Sequence, residues 1–134
     1  MAKRILTLLL VLCSQTAYSH YQAEVIKVID GDSIHLQVEI WPGLTQKINL
    51  RLDGVNTPEL RGSDCEKAAG RIAKGFTEAF VSGGTVTLSD VSLGKYAGRA
   101  LGKISVDGDD LGEALLKAGY AREYHGGKRE PWCG

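Results

Sequence analysis

The chain has little of several things, and each shortage excludes something. Charge is balanced, with Lys+Arg 16 against Asp+Glu 16, so whole-protein charge steers it neither to nucleic acid nor to an acidic partner. There is no low-complexity segment and no repeat at a solenoid period. Proline is scarce, at three residues. Cysteine also numbers three, and no Cys or His pair has the spacing of a zinc site. One apolar run exists, Ile5 to Cys13, and it is too short to span a bilayer. What remains is the composition of an ordinary globular protein, in 134 residues that fit one domain.

That apolar run follows Lys3 and Arg4 and precedes Ala17-Tyr18-Ser19. A positive start, an apolar stretch and a small-x-small triplet are the parts of an export signal. We expect residues 1–19 to be removed, leaving 20–134 as one exported domain, periplasmic or secreted, with no stable hold on the membrane. A retained anchor and a lipoprotein made through Cys13 are the weaker readings, the second because Leu12 is bulky where a small residue belongs. Removal of 1–19 takes two bases and no acid, so Lys+Arg falls to 14 against Asp+Glu 16 and the formal charge to −2. Nucleic-acid binding would then rest on a local basic patch. Cys65 and Cys133 remain, and an even pair in an exported chain implies a disulfide. The alternative is two buried free thiols.

Along the chain, Ala23 to Ile29 is rich in β-branched residues and reads as a strand buried on both faces. Asp30-Gly31 is a hairpin turn. Ile34, Leu36, Val38 and Ile40 then alternate with polar residues, and Trp41-Pro42-Gly43 breaks the strand. Ile48, Leu50 and Leu52 form a third apolar ladder, with Arg51 on the opposite face. Ser63-Asp64-Cys65-Glu66 is a capping box. The helix behind it places Ala69, Ile72, Ala73, Phe76 and Phe80 inward and ends near Ser82-Gly83-Gly84. Thr85–Leu88 and residues 99–106 read as strands. Asp109 or Asp110 caps a second helix, with Leu111, Ala114, Leu115 and Ala118 inward and Gly119 as its stop. The tail from Tyr120 has no assigned structure. Three strands, a helix, two strands and a helix fit a β-barrel with helices, the five-stranded Greek-key barrel of the OB type.

Within this order lie Val28-Ile29-Asp30-Gly31-Asp32-Ser33, Arg51 in a Leu-Arg-Leu strand, Asn56-Thr57-Pro58-Glu59, Lys95-Tyr96-Ala97-Gly98-Arg99, and Glu113 to Gly119. These pieces, in this order, resemble the staphylococcal nuclease family, from about Ala23 to about Tyr124. The resemblance implies an OB barrel and calcium-dependent hydrolysis of DNA and RNA at the P–O5′ bond. It gives Asp32 a calcium-binding carboxylate and Thr57 a backbone carbonyl on the metal. Glu59 takes the role of activating or positioning the attacking water, and Arg51 and Arg99 clamp the phosphate. Tyr96, Lys95 and Tyr124 fall where substrate is bound. Asn56 stands where the family has a second calcium-binding aspartate. Its amide oxygen still serves as a ligand, with one negative charge fewer, so weaker calcium binding or another divalent metal is expected. One extra residue precedes Arg99. No long C-terminal helix is expected after Tyr124, and a Cys65–Cys133 bridge would pin the tail to the first helix instead.

The chemistry suits these residue types. A hard cation on oxygen ligands is a Lewis acid and a template. Each arginine offers a planar fork to phosphate oxygens, and a free carboxylate serves as general base. Each piece alone has a plainer reading. Asp30 and Asp32 suit a turn, as Asp107-Gly108-Asp109 does. Arg51 would also pair with Asp53 or Glu59, and His35 would sit on the outer face of its strand. Lys128-Arg129 reads as a solvated tail, with tracking of a phosphate backbone as its alternative. The leading expectation is an exported, monomeric, metal-dependent nuclease acting on DNA and RNA, preferably single-stranded or frayed. The alternative is a catalytically weak or inactive OB module that binds nucleic acid or protein.

Overall fold

The computed structural model describes residues 19–94 and 98–133. Five long strands carry the architecture: β1 (His20–Asp30), β2 (Ser33–Trp41), β3 (Leu44–Leu52), β5 (Thr85–Leu93) and β6 (Arg99–Val106). Short strands β4 (Val55–Asn56), β7 (Asp109–Asp110) and β8 (Arg122–Glu123) accompany them, with helices α1 (Asp64–Phe80) and α2 (Leu111–Ala118). The sheet runs β3-β2-β1-β5-β6-β7, and a further β3–β6 pairing closes it on itself. That closing pair is parallel and the other neighbours are antiparallel. The result is a closed, mixed five-stranded barrel with two helices, the OB architecture expected from the order of elements.

The alternation of β2 does what period two requires as far as Val38, while Ile40, expected on the same face, is 47% exposed. Ile34, Leu36 and Val38 enter the barrel, where they meet Leu50, Leu88 and Ile104. β1 differs from expectation. Only Ala23 and Val28 are fully buried on it, and Ile26 is exposed. The register with β2 slips between Val25 and Lys27, and the extra residue turns the β-branched run out of strict alternation. An apolar run therefore reports strand here without reporting burial on both faces.

The caps form as the residue types dictate. Ser63 accepts from Glu66 N, and Asp110, rather than Asp109, accepts from Glu113 N at 2.9 Å. Leu111 and Leu115 of α2 are buried in the core, while Ala118 is exposed. On α1 the inward face is Gly70, Ala73 and Thr77, and Ile72 is 55% exposed. Phe76 and Phe80 flank that face and pack on the core from its edge. Small residues at positions i, i+3 and i+7 let the helix come close to what lies beneath it, and a branched side chain at Ile72 sits too far round to share the contact.

Candidate active site

Beneath α1 lies the β1–β2 hairpin, whose two-residue loop is Gly31-Asp32. Thr77 Oγ1 donates to Gly31 O at 2.7 Å, fully buried. A Cβ on Gly31 would meet Ala73 Cβ and Thr57 at 2.9 Å, so the turn is seated against helix and loop at once. Leu52 N donates to Asp32 O at 2.8 Å and ties the turn to β3. Asp32 is thereby held inside the protein, at 6% exposure. Its Oδ2 accepts from Thr57 N at 3.0 Å and lies 3.3 Å from Arg51 Nη1. Its Oδ1 accepts from Ser33 Oγ at 3.2 Å. Asp30 folds back on the same turn, its Oδ1 accepting from Asp32 N at 3.2 Å. Burial first, and then the adjacent Asp32 carboxylate, raise the Asp30 pKa from 3.8 to about 7.

The two arginines are brought together by barrel closure. Arg51 lies opposite Ser33 on β2. On its other side β6 runs parallel, with Arg99 opposite Asn49. Asn49 and Arg51 share a face of β3, so Arg99 stands beside Arg51, one side-chain pair along the barrel. The Arg51 side chain is only 12% exposed. One terminal nitrogen is on Asp32, and the other, Nη2, is buried with no hydrogen-bond acceptor among the described residues. A buried guanidinium nitrogen without an acceptor is costly, and an anion in front of it removes the cost. Arg99 is exposed at the head of its strand. Asp30, Asp32, Arg51, Glu59, Arg99 and Arg129 line one cleft of about 470 Å³.

Glu59 reaches this cleft because α1 allows it. A Cβ on Gly70 would stand 2.4 Å from Glu59 O and 3.1 Å from Pro58 O, so only glycine admits the Asn56–Glu59 loop at this depth. Neither Gly70 nor Thr77 was legible as a site-forming residue. Their signal was the run of small residues at helical spacing, hidden by the larger apolar residues beside it. Arg129, read as a solvated tail residue or one tracking a phosphate backbone, does not lie free in solvent. It forms an ion pair with Glu59, and its guanidinium stands 5.5 Å from the ring centre of Tyr124. Arg51 meets the same ring at 5.6 Å, and its acid partner is Asp32, not Asp53 or Glu59.

Oxygen donors are available around Asp32. Asn56 and Thr57 are buried, and Asn56 Oδ1 has no hydrogen-bond donor among the described residues. A carboxylate, the Asp30 carboxyl, an amide oxygen and backbone carbonyls suit a hard divalent cation that keeps part of its water shell. Among the described residues, no three His, Cys, Asp or Glu side chains group as a cage, so such an ion would depend on amide, carbonyl and water oxygens. Thus Asp32, Arg51, Glu59 and Arg99 share the cleft, and Tyr124 stands against Arg51. Asn56 and Thr57 lie in the loop that bonds Asp32. Lys95 and Tyr96 lie outside the described residues. Cys65 and Cys133 form a disulfide, with Cα atoms 6.2 Å apart.

Comparison with known proteins gives the family of the chain. An uncharacterised protein of Methanocaldococcus jannaschii is 31% identical over 133 aligned positions, which cover 80% of this chain. The chain spans 61% of that relative's length. Residues 49–131, which run from β3 into the tail that follows α2, match the family described as staphylococcal nuclease homologue. With more than half of its length matched, the chain belongs to the staphylococcal nuclease homologue family.

Proposed function

We propose that the protein is an exported, metal-dependent nuclease that hydrolyses phosphodiester bonds in DNA and RNA, with single strands preferred. The observation that carries the reading is Arg51. Its guanidinium is buried, fixed on one side by Asp32 and without an acceptor among the described residues on the other, in the same cleft as Arg99 and Glu59. A phosphate oxygen supplies what Nη2 lacks.

The chain's own residues divide the work. Arg51 and Arg99, side by side on β3 and β6, hold the non-bridging oxygens of the phosphate. Their hydrogen bonds strengthen as negative charge grows on those oxygens, so they stabilise the transition state more than the ground state. Glu59 takes the proton from a water that attacks phosphorus, and the 5′ oxygen departs with its electron pair. Asp32, Asn56 and the Thr57 carbonyl would hold the cation, calcium in the first instance. Bound there, it supplies Lewis-acid stabilisation of the phosphate charge. Asn56 contributes an oxygen without charge, which lowers calcium affinity and widens the choice of divalent metal. A Tyr124 ring beside the arginines suits stacking against an unpaired base. Export is supported by the leader pattern of residues 1–19 and by the Cys65–Cys133 bond, since such bonds persist in oxidising compartments.

The test is cleavage of single-stranded DNA and of RNA in calcium, magnesium, manganese or chelator, beside Glu59→Gln. Metal-dependent cleavage that falls by orders of magnitude in the variant is the expected result. Folded protein that cuts neither substrate in any of these metals would overturn the enzyme reading. If that protein still bound single-stranded DNA, it would be a binding module.

A further inference from the structure

The segment after α2 is fastened at both ends, to the β4 region and to the first turn of α1. At its start β8 pairs with β4, placing Arg122 opposite Asn56, and Tyr124 N donates to Gly54 O at 2.9 Å. At its end Cys133 is bonded to Cys65 in the first turn of α1. Trp132 N donates to Glu66 Oε1 at 3.2 Å, and the Arg122 guanidinium lies 3.9 Å from the Trp132 ring centre. Between these fastenings Gly126 and Gly127 are both left-handed, with φ of 97° and 89°, and turn the chain back. Tyr124 OH closes that turn on Gly127 O at 2.8 Å. The loop so formed carries Arg129 into the cleft, onto Glu59 and against Tyr124.

The ion pair does not explain this arrangement. Arg129 is 43% and Glu59 51% exposed, and pairs so open to water contribute little. The disulfide, the β4–β8 pairing and the Arg122–Trp132 stack hold the tail without it. What the tail accomplishes is to add a third guanidinium to a cleft that already presents two. A carboxylate and a phosphate offer a guanidinium the same two-oxygen fork, so a half-exposed arginine passes from one to the other at small cost.

We propose that Arg129 is a third phosphate-binding arginine, held by the disulfide-tethered tail. It rests on Glu59 in the free protein and passes to a neighbouring phosphate of the bound strand. The exchange leaves the Glu59 carboxylate to its water. This inference rests on the nuclease reading for the identity of the strand, and on the tail alone for the residue.

The experiment measures anisotropy of a short fluorescent single-stranded DNA in chelator over a range of salt, with KM for cleavage in the metal that supports it. Wild type is compared with Arg129→Gln and with the Cys65→Ser/Cys133→Ser double variant. Arg129→Gln is expected to bind roughly tenfold more weakly, with KM raised in proportion. Its plot of log affinity against log salt should be shallower by about 0.7, the loss of one phosphate contact on a single strand. The double variant, if circular dichroism shows it folded, should move the same way. If it does not fold, Arg129→Gln decides alone. Unchanged affinity and slope in Arg129→Gln, beside a wild type that binds and cleaves, would overturn this inference and leave the nuclease reading standing. Tighter binding by Arg129→Gln would overturn it too, since the arginine would then be an obstacle. A wild type that neither binds nor cleaves would remove both.

Discussion

The tripeptide Asp-Gly-Asp occurs twice, and the two copies differ in nearly everything except sequence. Asp30-Gly31-Asp32 joins β1 to β2 beneath α1. Its second aspartate is buried on Arg51 and Thr57 N, and its glycine has no room for a Cβ. Asp107-Gly108-Asp109 joins β6 to β7 at the surface. Asp107 and Gly108 are both left-handed, with φ of 51° and 84°, and nothing lies within 4 Å of a Cβ on Gly108. The first turn has its shape imposed by a helix packed upon it. The second takes its shape from local backbone preference alone. A carboxylate becomes chemically useful when the fold buries it beside a cation, and the letters of the turn do not record which will happen.

Removing one carboxylate from each turn should break the comparison most sharply. Asp32→Asn keeps the shape and an acceptor for Thr57 N, and loses the charge facing Arg51 and the metal. Under the nuclease reading, cleavage should fall by at least about a hundredfold, while Asp109→Asn stays within about twofold. Equal activity in the two variants would show that the buried turn is only a turn. Next in size is the glycine pair. Gly31→Ala places a Cβ 2.9 Å from Ala73 and Thr57, and overpacking of this kind costs about 1–3 kcal/mol. Gly108→Ala meets only backbone strain, about 1 kcal/mol. Urea unfolding of both variants gives the order directly. Thr77→Val follows: it leaves Gly31 O without its buried 2.7 Å donor, at about 1–2 kcal/mol. If α1 seats the turn as described, Thr77→Val should also lower cleavage, whereas a purely structural hydroxyl would lower stability alone.

The same contrast explains what could be read from the sequence. The barrel was legible because period-two alternation in β2 and β3, the break at Trp41-Pro42-Gly43 and the caps at Ser63 and Asp110 are local signals. Asp32, Arg51, Glu59 and Arg99 were legible as a set because their spacing along the chain matches a family. Their meeting in space was not, since it depends on the parallel β3–β6 closure, a contact between Asn49 and Arg99 that no local pattern encodes. The burial of β1 was misjudged because a bulge resets alternation without changing composition. Ile72 was misjudged because hydrophobicity outweighed size, and the face that matters on α1 is the one thin enough to admit the turn and the Glu59 loop. Arg129 was legible only as a tail residue that could follow a phosphate backbone, and its place against Glu59 was not legible. Its position follows from a disulfide between residues 68 apart and a turn at Gly126-Gly127.

The smallest effect concerns Asp30, which its turn position alone would explain. Burial and the Asp32 carboxylate raise its pKa from 3.8 to about 7 in the folded protein. In the unfolded chain it titrates near the ordinary value. Between these pH values the folded state binds a proton that the unfolded state has released, so stability is greatest below about pH 4 and declines as pH rises to about 7. Asp30 is partly open to solvent, so the decline is modest, a few degrees of Tm at most for a domain of this size. Asp30→Asn keeps an oxygen for Asp32 N and cannot ionise. In chelator its Tm should therefore gain on wild type steadily from pH 4 to 7. A divalent cation favours the ionised carboxyl, so calcium should reduce that gain by supporting wild type at neutral pH. Parallel Tm profiles for the two proteins in chelator would show that Asp30 does not hold its proton in the fold. A gain that appears in chelator and shrinks in calcium would place Asp30 with Asp32 around the ion, and would separate the two turns by their first residue as well as by their last.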